Sequence, residues 1–382
     1  MQQPEKIPFW RDSRFVNAIG QVIVLGIVVG AIAFLAINLV NNFQRQNLTF
    51  GFNFLSRPTS FGIANPPISF RPTDPYTRAL LVGLLNSLRV MFLGIIFASI
   101  LGISVGIGRL ADNWLVRKLA GIYVEVLRNT PLLLQLFFWY FAVFLRLPKI
   151  DRPLIVGDVV FLSNRGLDLP WYEPNLKTLL AIVAIGGCIL LAIAAWFKRI
   201  QAIERANNPQ VWLWVMVASA VGAIALFIWG LDWVIPELQN RNIRGGLNLS
   251  PEFATLLIGL SIYTSAFIAE VVRAGIQSVS KGQWEASRAL GLKPFAMMQL
   301  VIFPQALRVM IPPLTSEFLN LVKNSSLAIA IGYSDIYAIG NTISNQTGKS
   351  VEVLVIIMVT YLSINLIISA IANQFNRWVQ IK

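Results

Sequence analysis

The sequence predicts an all-α polytopic membrane protein with about eight transmembrane helices, and three observations predict it. Of 382 residues, 56% are hydrophobic and only 13% charged, with a mean hydropathy of +0.65, a composition at odds with a water-facing surface. Eight apolar segments are long enough, or nearly so, to cross about 30 Å of hydrocarbon at about 20 residues each. Between them, Lys and Arg gather on alternate loops. Histidine is absent and the single Cys188 sits in an apolar run, which excludes imidazole chemistry, His-ligated metals and a disulfide framework.

The segments run over 16–40, 79–107, 131–146, 178–197, 211–230, 253–272, 309–331 and 351–374. The first follows Lys6, Arg11 and Arg14 and contains Ala31-Ile32-Ala33, which imitates a cleavage site, but its run continues through Val40. That is too long for a cleaved signal, so an uncleaved anchor is expected. The third, Pro131 to Leu145, is short and needs the preceding KLAGIYVEVLRN as a helical lead-in to span.

With the N-terminus inside, the inner loops carry 17 Lys and Arg and the outer loops 12, Arg89 and Lys323 lying within spans. The outer loops are longer and hold more of the acids, including Asp151, Asp158, Asp168, Glu173, Asp232 and Glu237. Both termini and the polar stretch 280–304 are therefore expected on the cytoplasmic side. The net charge of +13 then belongs to the inner membrane face and not to nucleic-acid binding.

That polar stretch reads EASRALGLKPFAMMQLVIFP from Glu285 to Pro304. Ser280 and Gln283 have the spacing of a capping box, and Gly291 is placed to end a short helix in the left-handed conformation. Trp284, Ala286, Ala289 and Leu290 offer small or apolar surface for a soluble partner, and Glu285 can pair with Arg288 at i, i+3. An amphipathic helix lying on the membrane is the other physical reading.

The positions Glu285, Ala286, Gly291, Val301 and Pro304, with Ser287 for a second Ala, resemble the EAA loop by which permease subunits of ABC importers dock on their ATPase. The stretches at 78–91, 123–140, 267–292 and 319–332 are similar to the permeases of polar and general L-amino-acid importers, the histidine/glutamate/glutamine/arginine permease family. The resemblance covers roughly 77–146 and 250–380, leaving segments one, four and five outside a five-helix type I importer core. It divides the chain into an anchor helix and outer loop (1–76), a first core part (77–146), an inserted outer loop with two extra helices (147–252), and a second core part with the loop at 280–304 (253–382).

The resemblance implies ATPase coupling through Trp284, Glu285, Ala286, Ser287, Ala289 and Gly291. It also implies a heterodimer with a second permease chain, separate ATP-binding subunits carrying ATP and Mg, an extracytoplasmic amino-acid-binding protein, and the bacterial inner membrane. No cofactor is expected on this chain. Gly348-Lys349-Ser350 matches the end of a P-loop, but Ile343 stands where the first Gly belongs.

Candidate residues for the substrate path are the polar ones within spans. Arg89, with Asn86 one turn before it, lies inside segment two and can either hold a substrate carboxylate or pair with Glu317. Glu317, Asn320, Lys323 and Asn324 recur at helical intervals along segment seven, as a path lining or as interhelical hydrogen bonds. Thr130 can N-cap a helix beginning at Pro131, or the pair can simply break the helix. Glu270 and Arg273 have the spacing of a local ion pair or a gate. An ion-coupled secondary transporter would call for inverted repeats, and a membrane enzyme for a nucleophile beside a base; neither is seen in this sequence.

Overall fold

The computed structural model describes residues 13–45, 49–204, 208–239 and 241–380. Lys6, Arg11, Arg205 and Lys382 of the charge tally lie outside them. The long helices are α1 (Ser13–Arg45), α2 (Tyr76–Gly108), α3 (Trp114–Asn129), α5 (Leu176–Glu204), α6 (Gln210–Ala225), α7 (Pro251–Gln277), α10 (Phe303–Asn324) and α12 (Ser350–Gln380). Shorter ones are α4 (Leu132–Phe137), α8 (Lys281–Ala289), α9 (Pro294–Met297) and α11 (Ile336–Thr347). Among the described residues seven helices are long and apolar enough to span, and α3 with the helical stretch Leu132–Arg146 makes an eighth if counted as one span.

That pair corrects the simple lead-in expected for the third segment, because the two parts meet at 104°. Proline restricts the residue before it to extended backbone, and Thr130 indeed has ψ 127. Thr130 does not N-cap the second helix: its Oγ1 donates back to Val126 O at 2.7 Å. Gln135 closes the break instead, its Nε2 donating to both Leu127 O and Thr130 O at 3.0 Å. Gln135→Leu is expected to destabilise the fold by about 1–3 kcal/mol, the cost of stranding these two carbonyls, read as a lowered melting temperature in detergent.

The core is built on a parallel pair. Helices α2 and α7 run side by side from the same end, with Gly94, Ala98, Gly102 and Gly106 at four-residue spacing along the buried stripe of α2. Small residues at that spacing let backbones approach, the association mode available where lipid is as apolar as the side chains. A Cβ on Gly102 would stand 2.6 Å from Ile268 Cβ, and one on Gly106 2.8 Å from Ala269 O. Helix α10 joins this pair through Met310, Leu321 and Val322.

At about 1.5 Å per residue α2 is about 50 Å long, and its first turns project past the start of α7. That projection packs on α11 and α12 through Ala79, Leu80, Val82, Ile336, Ile339 and Ile357. Gly83 permits the contact, since a Cβ there would lie 3.0 Å from Ile336 Cα. Helices α5 and α6 form an antiparallel hairpin outside the core, and α1 exposes apolar side chains along its length, among them Val22, Leu25, Val29, Phe34 and Val40.

The all-α expectation needs one addition. The segments preceding α5 and α7 carry short strands: β1 (Leu154–Val156), β2 (Val160–Ser163), β3 (Gly166–Leu169), β4 (Trp171–Tyr172), β5 (Trp233–Val234), β6 (Glu237–Gln239), β7 (Asn242–Arg244) and β8 (Leu247–Leu249). Strands β1-β2-β3-β8 form one antiparallel sheet, with Leu167 opposite Leu249. Because β8 leads directly into α7, the sheet sits over the start of that helix. Ser250 caps α7, accepting from Phe253 N, with Pro251 in the first turn.

Two features of the 294–347 region were also unforeseen. The helical stretch around α10 begins at Pro294 and not near 309, with a π turn at Met298–Ile302 that absorbs the N–H missing at Pro304. Helix α11 is N-capped by Asp335, which is 1% exposed, accepts from Ala338 N at 2.7 Å and from the Tyr361 hydroxyl at 3.3 Å. Burial pushes the Asp335 carboxyl up from 3.8 to about 7. Folded Asp335 therefore holds its proton across a window in which the unfolded carboxyl has lost it, so stability falls as pH rises from about 4 to about 7. Asp335→Asn keeps a capping side chain without the charge. It is expected to flatten that fall, by up to about 4 kcal/mol at pH 8, measured as melting temperature against pH.

Candidate functional site

The 280–304 segment folds as a helical elbow. Ser280 takes the N-cap position, but its side chain accepts no hydrogen bond, and Gln283 reaches instead to Gln305 at 3.1 Å. The capping box is thus not formed, because the second helix offers Gln283 a tertiary partner. At the other end Gly291 has φ +71, Gly291 N donates to Arg288 O at 2.9 Å, and Leu292 N donates to Ser287 O at 3.2 Å. That is the left-handed termination the sequence called for.

The elbow has an anchored side and a free side. Trp284 and Leu292 are partly buried and pack against the cluster of Ile276, Val279, Met297 and Ile302, so Trp284 anchors the elbow to the core. Ser287 is 2% exposed, its hydroxyl donating to Gln283 O at 2.6 Å. Glu285, Ala286, Arg288, Ala289 and Gly291 are exposed, Leu290 is 80% and Phe295 79% exposed. No ion pair joins Glu285 to Arg288 among the described residues. Two large apolar side chains therefore stand out beside a free carboxylate and a free guanidinium, the composition of a docking surface.

The polar residues within spans fall into two separate cavities. Glu317, Asn320, Lys323 and Asn324 on α10 line a cavity of about 220 Å³ with Tyr263, Thr264 and Phe267 of α7. Asn86 and Arg89 line another of about 140 Å³ with Asn248, Ser250, Glu252, Phe253, Tyr333 and Ser334. Along α7 the two lie more than ten residues apart, about 20 Å by helical rise. Arg89 therefore does not pair with Glu317. The projection of α2 past α7 puts Arg89 level with the first turn of α7, near the hairpin end of the core and not at its middle. There its guanidinium carbon lies 5.0 Å from the Phe253 ring centroid. Asn86 donates to Ser334 O at 2.9 Å, and the Tyr333 hydroxyl donates to Asn86 O at 3.2 Å. Burial raises the Tyr333 phenol above its ordinary value, with Arg89 acting in the opposite sense.

Toward the elbow end, Glu270 collects three arginines. Arg273 pairs with it as the spacing implied, Arg109 bonds to its other oxygen, and Arg128 stands 3.9 Å away with its guanidinium 5.2 Å from the Phe267 ring. Arg109 and Arg128 were not singled out with Glu270, because nothing local in the chain joins positions 109, 128 and 270. Together with Arg117, Lys118 and Glu125 they line an open cavity of about 710 Å³. Phe267 borders both this cavity and the one around Glu317. No group of three or more metal-ligating side chains occurs among the described residues.

Residues 94–381 match the family model of the binding-protein-dependent transport system inner membrane component. A putative amino-acid ABC transporter permease protein of Escherichia coli K12 is 44% identical over 366 residues, 94% of this chain and 93% of that protein. The general L-amino acid transport system permease protein of Rhizobium johnstonii is 42% identical over 96% of this chain and 92% of its own length. The crystal structure of an amino acid ABC transporter with histidines superposes with a TM-score of 0.48 at 22% identity, covering 79% of this chain and 94% of that one. With its helical core, its elbow and a family match over three quarters of its length, the chain belongs to the inner membrane components of binding-protein-dependent transport systems.

Proposed function

We propose that this chain is the permease subunit of an ATP-driven importer that carries amino acids across the bacterial inner membrane by alternating access. The observation that carries the proposal is the elbow at 280–304, which is fixed to the core by Trp284 and Leu292 and presents Leu290, Phe295, Glu285 and Arg288. On this reading the elbow docks on a separate ATP-binding subunit, which supplies ATP and Mg, and passes its closure to α7 and α10 at the two ends of the elbow. A second permease chain completes the path, and an extracytoplasmic amino-acid-binding protein delivers substrate. The relatives named as amino-acid permeases support that substrate class. Substrate would pass the Glu317, Asn320, Lys323 and Asn324 cavity, then Phe267, and leave through the basic cavity around Glu270.

Glu285→Lys, or Gly291→Trp at a position with φ +71 and open space around it, is expected to leave membrane insertion intact. Each should lower ATP-driven uptake and complex-dependent ATPase activity at least tenfold in proteoliposomes. Wild-type values for both would remove the docking assignment.

The proposed orientation puts both termini and the elbow in the cytoplasm and the short strands outside. In a Cys188→Ala background, Asp158→Cys in the β1–β2 turn is expected to react with a membrane-impermeant thiol reagent added to cells. Asp112→Cys, exposed between α2 and α3, is expected to stay unlabelled until the cells are opened. The reverse pattern would invert the topology.

A further inference from the structure

We infer that the cavity between α2, the start of α7 and residues 332–334 is a subsite for the zwitterionic head of an amino acid, with Arg89 taking the carboxylate and Glu252 the ammonium. The inference rests on the amino-acid reading above and adds to it a place and a chemistry.

Arg89 and Glu252 line the same cavity of about 140 Å³ yet make no ion pair with each other. Among the described residues the Arg89 guanidinium makes no hydrogen bond and no ion pair at all. It rests only against the Phe253 ring at 5.0 Å. A half-buried guanidinium with five unused N–H donors is costly to keep near a membrane without an anion, and its flat fork fits a carboxylate in two parallel bonds. Glu252 has one carboxylate oxygen engaged, accepting from the Tyr140 hydroxyl at 3.0 Å. The other has no hydrogen-bond or ion-pair partner among the described residues, and Glu252 lines the cavity.

A third group points the same way. Asn86 is 2% exposed, and its amide nitrogen is held by Ser334 O while its Oδ1 has no hydrogen-bond partner. A buried acceptor left unmade costs about 1–3 kcal/mol, which an ammonium donor would relieve. The cavity thus offers an unused donor on α2 and unused acceptors on both α2 and α7. Its volume of about 140 Å³ leaves room for a small polar head group. A side chain would then project out of it. Selection by the head alone suits a carrier of amino acids with differing side chains. Asn65, Asn248 and Ser250 at the cavity edge belong to the loop and sheet over the start of α7, so the subsite lies where a delivered substrate first meets the core.

The test uses the purified permease–ATPase complex in detergent, without any binding protein, and reads its melting temperature against millimolar L-alanine, propionate and ethylamine. Only L-alanine, which carries both charges, is expected to raise it in a saturable way. Glu252→Gln and Arg89→Lys should each weaken the apparent affinity at least tenfold. Arg89→Lys keeps the charge and loses only the fork, so its melting temperature without ligand should match wild type and separates binding from folding. An equal shift from propionate would mean a simple anion site, and unchanged affinity in both variants would place the ligand elsewhere; either result overturns the subsite. ATP-driven uptake by the wild-type complex is measured alongside. Uptake without an L-alanine shift sinks the subsite alone, and absence of amino-acid uptake sinks the import reading on which it rests.

Discussion

Gly102→Leu is expected to abolish assembly of the permease. Position 102 lies on the α2–α7 seam, where a Cβ alone would stand 2.6 Å from Ile268 Cβ and 2.9 Å from Ser265 O. Neither neighbour is the movable tip of a long side chain, so the helices must separate to admit even a methyl group. Separation would also lift Gly106, one turn further along the same stripe, from Ala269 and Val272. Overpacking costs about 1–3 kcal/mol where a core can adjust, and here, with two backbones held apart, about 3 kcal/mol or more is expected. The readouts are yield in membranes and melting temperature after purification. Ile100→Leu, on the exposed face of the same helix, should behave as wild type. Normal melting of Gly102→Leu would mean that α2 and α7 do not meet along this seam.

Glu270→Gln is expected to destabilise the subunit through charge repulsion. The carboxylate is shared by Arg109 and Arg273 and stands 3.9 Å from Arg128, so removing its charge leaves three guanidinium groups facing one another. All four side chains are partly exposed, between 22% and 41%, so water screens part of the repulsion and about 2 kcal/mol is expected. The loss should shrink at high salt. Arg273→Gln, which leaves the carboxylate two cationic neighbours, should cost less than half as much. Equal melting temperatures for the three proteins would show that the cluster holds nothing together.

The existence and approximate place of the spans were legible because crossing a bilayer demands a run of apolar residues whatever the partners are. The left-handed end at Gly291 was legible for a similar reason, being a backbone requirement local to five residues. What was hidden depended on partners distant in the chain. The strands β1 to β8 are two to four residues long, too short for alternation to register. Arg89 looked deep because it sits well within an apolar run, but its depth follows from how far α2 overshoots α7, a tertiary fact. Glu252 drew no notice since an acid in the first turn of a helix has an ordinary explanation in the helix dipole. Periodicity alone does not say which face of a nine-residue helix is anchored, so the partial burial of Trp284 is a tertiary fact.

On the proposed function, transport through this chain is driven by ATP on a partner docked at the elbow. The most direct test is amino-acid uptake into proteoliposomes holding the purified complex and a supplied binding protein, with ATP or a non-hydrolysable analogue and with ion gradients imposed or collapsed. The expected result is uptake that requires hydrolysable ATP, persists when proton and sodium gradients are collapsed, and is lost in Glu285→Lys. Uptake driven by an ion gradient without ATP, and indifferent to Glu285→Lys, would make the chain a secondary transporter and contradict the account.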